Sequence, residues 1–183
     1  MAGYKLKFKL ISTYDIWRLV EVPEDIKIYQ LNIIINDIFN TYYSYFRYDI
    51  PKKVGSEGYD LDNIVKSYDR KNANWNIKRI FNKNEIVLFL GDRFEIIIER
   101  IEKTNYKNKT ALILDYEGKY NPLSAFHEVF IFEEIIEEIE SGEDAESVLN
   151  EYGMNRYDLY RLYFDENLIG SRIKLNQRYW ISL

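Results

Sequence analysis

The chain has 183 residues, 46% of them hydrophobic, a formal charge of −5 and no cysteine. That length fits one domain with a core large enough to need no staple. The missing cysteines exclude disulfides, thiolate metal sites and cysteine nucleophiles, which suits a reducing cytoplasmic setting. No apolar run approaches the roughly 18 residues that span a membrane, and Met1-Ala2-Gly3-Tyr4 leads into a strand-like alternation without the apolar stretch of a signal peptide.

Tyr4, Leu6, Phe8 and Leu10 alternate with Lys5, Lys7 and Lys9, so residues 4–11 are predicted as an amphipathic strand. Residues 16–22 form a second strand ended by Pro23, and Ser12 to Asp15 turn between the two. Trp17 and Arg18 point to opposite faces of that strand, and Trp17 is assigned to the core. Ile28, Leu31, Ile34, Ile35 and Ile38 fall at helical spacing and predict a helix over 27–40. Its isoleucines are poor helix formers, so packing must stabilise it. Tyr43 to Tyr48 suggest a further strand, 51–63 with Pro51, Gly55 and Gly58 read as a loop, and 64–84 are basic and polar.

Residues 85–90 and 94–101 are strongly strand-forming, with Gly91-Asp92 as a tight turn between them. Residues 110–116 give one more strand before a loop holding Gly118 and Pro122. An acidic helix follows over 128–141, with Phe130, Ile131, Ile135, Ile136 and Ile139 as its apolar stripe and Gly142 as its stop. Residues 144–152 and 155–164 read as two short helices. The tail, with Ile173-Lys174-Leu175 and Tyr179-Trp180-Ile181, reads as a closing strand. The expected fold is α+β: an antiparallel sheet of five or six strands with helices packed on one face, a single domain over 1–183 onto which 142–183 pack as an extension.

Tyr4-Lys5-Leu6-Lys7, Ile16-Trp17-Arg18, Val22-Pro23, Ile28 and Leu31, in this order and spacing, resemble the opening of the Ri-plasmid (pRiA4b) open-reading-frame-three-like family, whose members often accompany transposase genes on mobile elements. Tyr45-Phe46-Arg47-Tyr48 fits the family's next block. Leu90-Gly91-Asp92-Arg93-Phe94-Glu95-Ile96 resembles its Phe-Gly-Asp-x-Trp-Glu-His turn, with Leu90, Phe94 and Ile96 in the places of Phe, Trp and His. The loop from Leu114 to Pro122 before an acidic helix also fits, and the resemblance spans roughly residues 4–150. It implies the same α+β fold and a mobile-element origin. The histidines that members often carry are absent here, so the metal or acid–base role they suggest does not carry over.

His127 is the lone histidine, and no Gly-x-Ser-x-Gly elbow frames the nearby Ser124. Neither dinucleotide nor phosphate-loop glycine motifs occur, and one histidine cannot build a histidine-rich zinc site. Asp92, Glu95, Glu99, Asp115 and Glu117 are the carboxylates available to a metal-dependent hydrolase. On alternating strands such groups usually face solvent, so the expectation is a protein without catalysis or cofactor.

Residues 128–151 hold ten acidic side chains and no basic one, which leaves the rest of the chain with 20 acidic and 25 basic residues, a formal +5. Glu133, Glu134, Glu137, Glu138 and Glu140 are the candidate partner-binding face, a negative surface suited to the cationic groove of a nucleic-acid-binding protein. Lys66, Arg70, Lys71, Trp75, Lys78 and Arg79 are candidate nucleic-acid contacts, cations for phosphate and a ring for stacking. The stretch 156–178 has a similar composition, but Tyr157, Tyr160 and Phe164 at helical spacing are assigned to a packing face. The expected function is a protein-binding module of mobile-element or phage origin, in concrete form an inhibitor of a nucleic-acid-targeting defence nuclease of the anti-CRISPR type. The alternative is a DNA- or RNA-binding accessory protein that uses the basic segments 66–83 and 156–178, with a metal-dependent hydrolase ranked third. The 17 tyrosines suit binding surfaces, and they also match the Ile, Asn, Lys and Tyr enrichment of AT-rich coding sequence.

Overall fold

A computed structural model describes the backbone of residues 2–41, 46–54, 58–66, 74–91, 94–122 and 129–180, and the side chains of all of these except 50–54, 58–66 and 175–180. Strand β1 (Gly3–Leu10) and strand β2 (Trp17–Pro23) form the predicted hairpin. Helix α1 (Ile28–Phe39) follows, then strands β3 (Phe46–Val54) and β4 (Gly58–Lys66). A one-turn helix α2 (Lys78–Phe81) precedes strands β5 (Ile86–Gly91), β6 (Glu95–Thr104) and β7 (Leu112–Glu117). Four helices close the chain: α3 (Val129–Ser141), α4 (Ala145–Glu151), α5 (Arg156–Leu162) and α6 (Glu166–Trp180).

The strands make one seven-stranded sheet in the order β4-β3-β5-β6-β1-β2-β7, with every neighbouring pair antiparallel. Alternation decides its two faces. Tyr4, Leu6, Phe8 and Leu10 point inward with Val20, Val22, Val87, Phe89, Ile96 and Ile98, and join Ile28, Leu31, Ile34, Ile35 and Ile38 of α1 in one core. Phe132, Ile135 and Ile136 bring α3 into the same core, where Phe94 meets Phe132 edge to face with centroids 6.1 Å apart. Leu162, Ile169 and Ile173 extend that core into α5 and α6. The other face carries Lys5, Lys7 and Lys9 opposite Glu21, Leu19 and Trp17. The fold is α+β, as the sequence pattern predicts.

Four expectations need correction. Residues 51–63 do not form the expected loop: 51–54 belong to β3 and 58–63 to β4, the seventh strand, while 55–57 lie outside the described residues. β3 pairs with β5 only over Phe46–Asp49, so Pro51 lies past the last β5 pair, where a missing N–H costs no ladder bond on that side. The tail is not a strand but helix α6, begun by Asp165, whose carboxylate accepts the Leu168 N–H, and held by Ile169 and Ile173 at i, i+4. Trp17 is not in the core. It lies half-buried on the opposite face with the Lys7 ammonium 4.1 Å from its ring, and Arg18 takes the inward place beside Val20 and Val22. Phe130 is 49% exposed, and Phe132 replaces it in the stripe of α3.

Candidate functional site

Helix α3 presents the acidic residues in two sets. Glu133 accepts the Thr13 backbone N–H from the β1–β2 turn, and Glu138 accepts the Tyr152 hydroxyl. Glu140 accepts the Tyr120 hydroxyl and pairs with the Lys119 ammonium at 2.8 Å. These three side chains pin the helix to its neighbours. Glu134 and Glu137 are exposed and make no ion pair among the described residues, and the same holds for Glu143, Glu146 and Glu151 just beyond.

The negative field is visible in its neighbours. Burial raises the Tyr14 phenol pKa first, and the carboxylates of Glu137, Glu140 and Glu133 raise it further. Tyr152 is raised by burial and then by Glu138. Lys119 foremost, with Tyr120, holds the Glu140 carboxyl below the usual carboxylate range.

The array works against its own helix. Glu133 with Glu137, Glu134 with Glu137 and Glu138, and Glu137 with Glu140 stand three or four residues apart on one surface. Such like-charge pairs cost about 0.2–0.5 kcal/mol each. Three of the five carboxylates also sit in the last turn and a half, next to the negative end of the helix dipole. Together these terms oppose the helix by about 1–2 kcal/mol.

Of the basic candidates, the side chains of Trp75, Lys78 and Arg79 are described, and they sit together at α2. Lys66 ends β4 opposite Arg47, and Arg70 and Lys71 lie outside the described residues. Trp75 packs against the core at the entry to α2, with the Arg79 guanidinium 4.0 Å from its ring centroid. Its carbonyl accepts the Ile28 N–H, which laces this segment to the start of α1. Lys78 and Arg79 are exposed. His127, Ser124 and Asp92 also fall outside the described residues.

The register places Glu99, Lys7, Leu19 and Asp115 in one row across β6, β1, β2 and β7. At about 4.8 Å per strand, Glu99 and Asp115 stand about 14 Å apart, too far to act on one bond. Among the described residues no three acidic or histidine side chains converge on a metal-sized site.

Two features were not legible in the sequence. Arg18 is fully buried and has no carboxylate partner among the described residues. Its guanidinium donates to the carbonyls of Trp17 (2.8 Å), Glu117 and Tyr120 (3.2 Å) and to Asn121 Oδ1 (3.4 Å), and stacks 3.9 Å from the Phe164 ring centroid. Burial pushes its pKa down to about 9, which still leaves a cation at neutral pH.

The second feature is a groove of about 200 Å³ between α5, α6 and the end of α1. Tyr157 and Tyr160, assigned to packing from their spacing, are 81% and 65% exposed, and only Phe164 of that trio turns inward, to Arg18. Tyr163 rests on Tyr120, with centroids 5.5 Å apart. The groove floor is organised by Asn40, the single non-glycine residue with positive φ (53°) among the described residues. Its Nδ2 donates to the Arg161 carbonyl, its Oδ1 accepts from Arg172 Nη1 at 2.7 Å, and its carbonyl accepts from Arg161 Nη2 at 3.3 Å. A left-handed conformation costs an ordinary residue about 1–2 kcal/mol, less for Asn, and here it ends α1 and binds two helices to it.

No protein-family model and no curated protein matches the chain. Among solved structures it is similar to a protein of unknown function from Methanosarcina mazei Go1, MM3350, at 19% identity. The match covers 91% of this chain and 96% of that one with a TM-score of 0.68. At that identity the likeness is one of fold. No helix among the described residues is long and apolar enough to cross a membrane.

Proposed function

We propose that this chain is a non-catalytic binding module that docks the acidic surface of α3 and α4 onto a cationic groove of a protein partner. One observation carries the reading. Residues 128–151 hold ten carboxylates without a cation, five of them on α3 at a cost to that helix, while Glu133, Glu138 and Glu140 fix it in place. Charge held rigidly against its own stability is charge arranged for something outside the chain. Carboxylates so aligned imitate a phosphate backbone, so the partner class that fits is a protein whose groove ordinarily holds nucleic acid. With the mobile-element resemblance, the concrete form is an inhibitor of a nucleic-acid-targeting defence nuclease.

The test is the double variant Glu134→Lys/Glu137→Lys, made at two exposed positions without ion pairs among the described residues. The immobilised parent retains a protein from nuclease-treated bacterial lysate, and that protein is released by its own nucleic acid. The variant folds at least as stably as the parent, because repulsion is relieved, and retains nothing. Undiminished retention by the variant refutes the reading.

A further inference from the structure

The groove between α5 and α6 is built from different chemistry and stands independently of the acidic surface. We propose that it is a site for single-stranded nucleic acid, in which a base stacks on the exposed tyrosines and the adjoining phosphate meets Arg172. Three observations converge. Tyr157 and Tyr160 lie three residues apart on one side of α5 and leave most of their area in water, at 81% and 65% exposure. Clustered exposed aromatic surface of this kind marks a contact site rather than scatter. The space beside them, about 200 Å³, is below the roughly 300–1,000 Å³ of a drug-sized ligand site and suits one flat ring.

The second observation is the cation. Arg172 reaches the groove and is held by a neutral acceptor, Asn40 Oδ1, with no carboxylate partner among the described residues. Its fork is oriented without being neutralised, which is the state that recognises a phosphate. The carboxylate that also lines the groove, Asp165, is occupied in capping α6 through the Leu168 N–H.

The third is rigidity. Asn40, 4% exposed and in the left-handed conformation, ties the Arg161 backbone and the Arg172 side chain to the end of α1. Asn121 holds the far wall by donating to the Arg161 and Tyr163 carbonyls at 3.2 and 3.1 Å. Rings and guanidinium therefore stand in fixed relation before any ligand arrives, as sequence-tolerant single-strand sites require. A duplex, with its bases stacked inside, offers no free face to the tyrosines.

Fluorescence anisotropy of labelled single strands of about ten nucleotides, at low salt, tests this directly. The parent binds the single strand at least tenfold more tightly than the same sequence as a duplex. Tyr157→Ala/Tyr160→Ala weakens binding about tenfold or more, in line with the loss of base stacking. Tyr157→Phe/Tyr160→Phe retains it, because stacking needs the ring and not the hydroxyl. Both positions are exposed, so circular dichroism of each variant matches the parent. Arg172→Gln lowers the salt dependence by about one unit of slope. Four results overturn the proposal: no anisotropy change at low salt, equal binding by the alanine variant, preference for the duplex, or a protein partner lost by the alanine variant while no oligonucleotide binds.

Discussion

Replacing Arg18 by Met tests what a buried cation does for this fold. The side chain is fully buried and has no carboxylate partner among the described residues. A guanidinium held down at about 9 reflects about 5 kcal/mol of desolvation cost at neutral pH. Against this stand four hydrogen bonds from a charged donor, worth about 1.5–3 kcal/mol each, and a stack on Phe164 worth about 1–2 kcal/mol. The bonds win by a few kcal/mol. Met keeps the apolar stem but leaves the acceptors of Glu117, Tyr120 and Asn121 facing no donor, so Arg18→Met is expected to lose about 4 kcal/mol, a large share of a typical domain's stability. Arg18→Lys retains charge but not the planar fork and falls between the two. Urea unfolding at neutral pH, followed by circular dichroism with m-values compared, reads the difference. A Met variant as stable as the parent would show that desolvation outweighs the bonds, as occurs in some buried ion pairs, and would refute this reasoning.

Three further outcomes follow from the same structure. Gly118→Ala destabilises by about 2 kcal/mol or more in thermal unfolding, because φ is +79° and the new Cβ would lie 2.8 Å from Ile16 Cγ1; an unchanged midpoint contradicts this. Burial foremost raises the phenols of Tyr106 and Tyr120 to about 12. The unfolded chain ionises these groups first, so their stabilisation is intact below about pH 10 and is lost as pH rises towards 12, and absorbance at 295 nm in that window stays below that of the urea-unfolded protein. The Glu140 carboxyl is held low by Lys119 and then Tyr120, so its stabilisation is present above its ordinary value and lost as pH falls through the lower folded one. Glu140→Gln therefore flattens the acid limb of the unfolding curve between about pH 5 and pH 3, and identical limbs would mean the contact contributes nothing.

Periodicity carried much of the fold and failed where two periods compete or where one residue's preference was set against its neighbours. In β2 the hydrophobicity of Trp17 alone points it inward, yet Arg18 shares parity with Val20 and Val22, and the set of three decides which face is buried. Tyr59, Leu61 and Val65 alternate as a strand should, but Pro51, Gly55 and Gly58 around them suggested a loop. Proline is harmless there because the pairing of β3 with β5 ends at Asp49. The tail reads equally as Ile173/Leu175 alternation or as Ile169/Ile173 at i, i+4, and the Asp165 cap is what settles it. The acidic face was legible as composition, but the division into pinned and free carboxylates needed Thr13, Lys119, Tyr120 and Tyr152, which are remote in sequence from most of their partners. The groove was hidden because tyrosines at helical spacing look the same whether they face a core or water.

Asn40 binds the last turn of α1 to both C-terminal helices, and α1 is the helix most deeply set in the core. Helices α5 and α6 are therefore not a detachable lid. A cut before α5 would strip Asn40 of both arginines and Arg18 of the Phe164 ring, and so open the interior to water. The amides of α5 should then exchange with solvent at nearly the rate of those in α1, and a protease should find the chain whole or not at all.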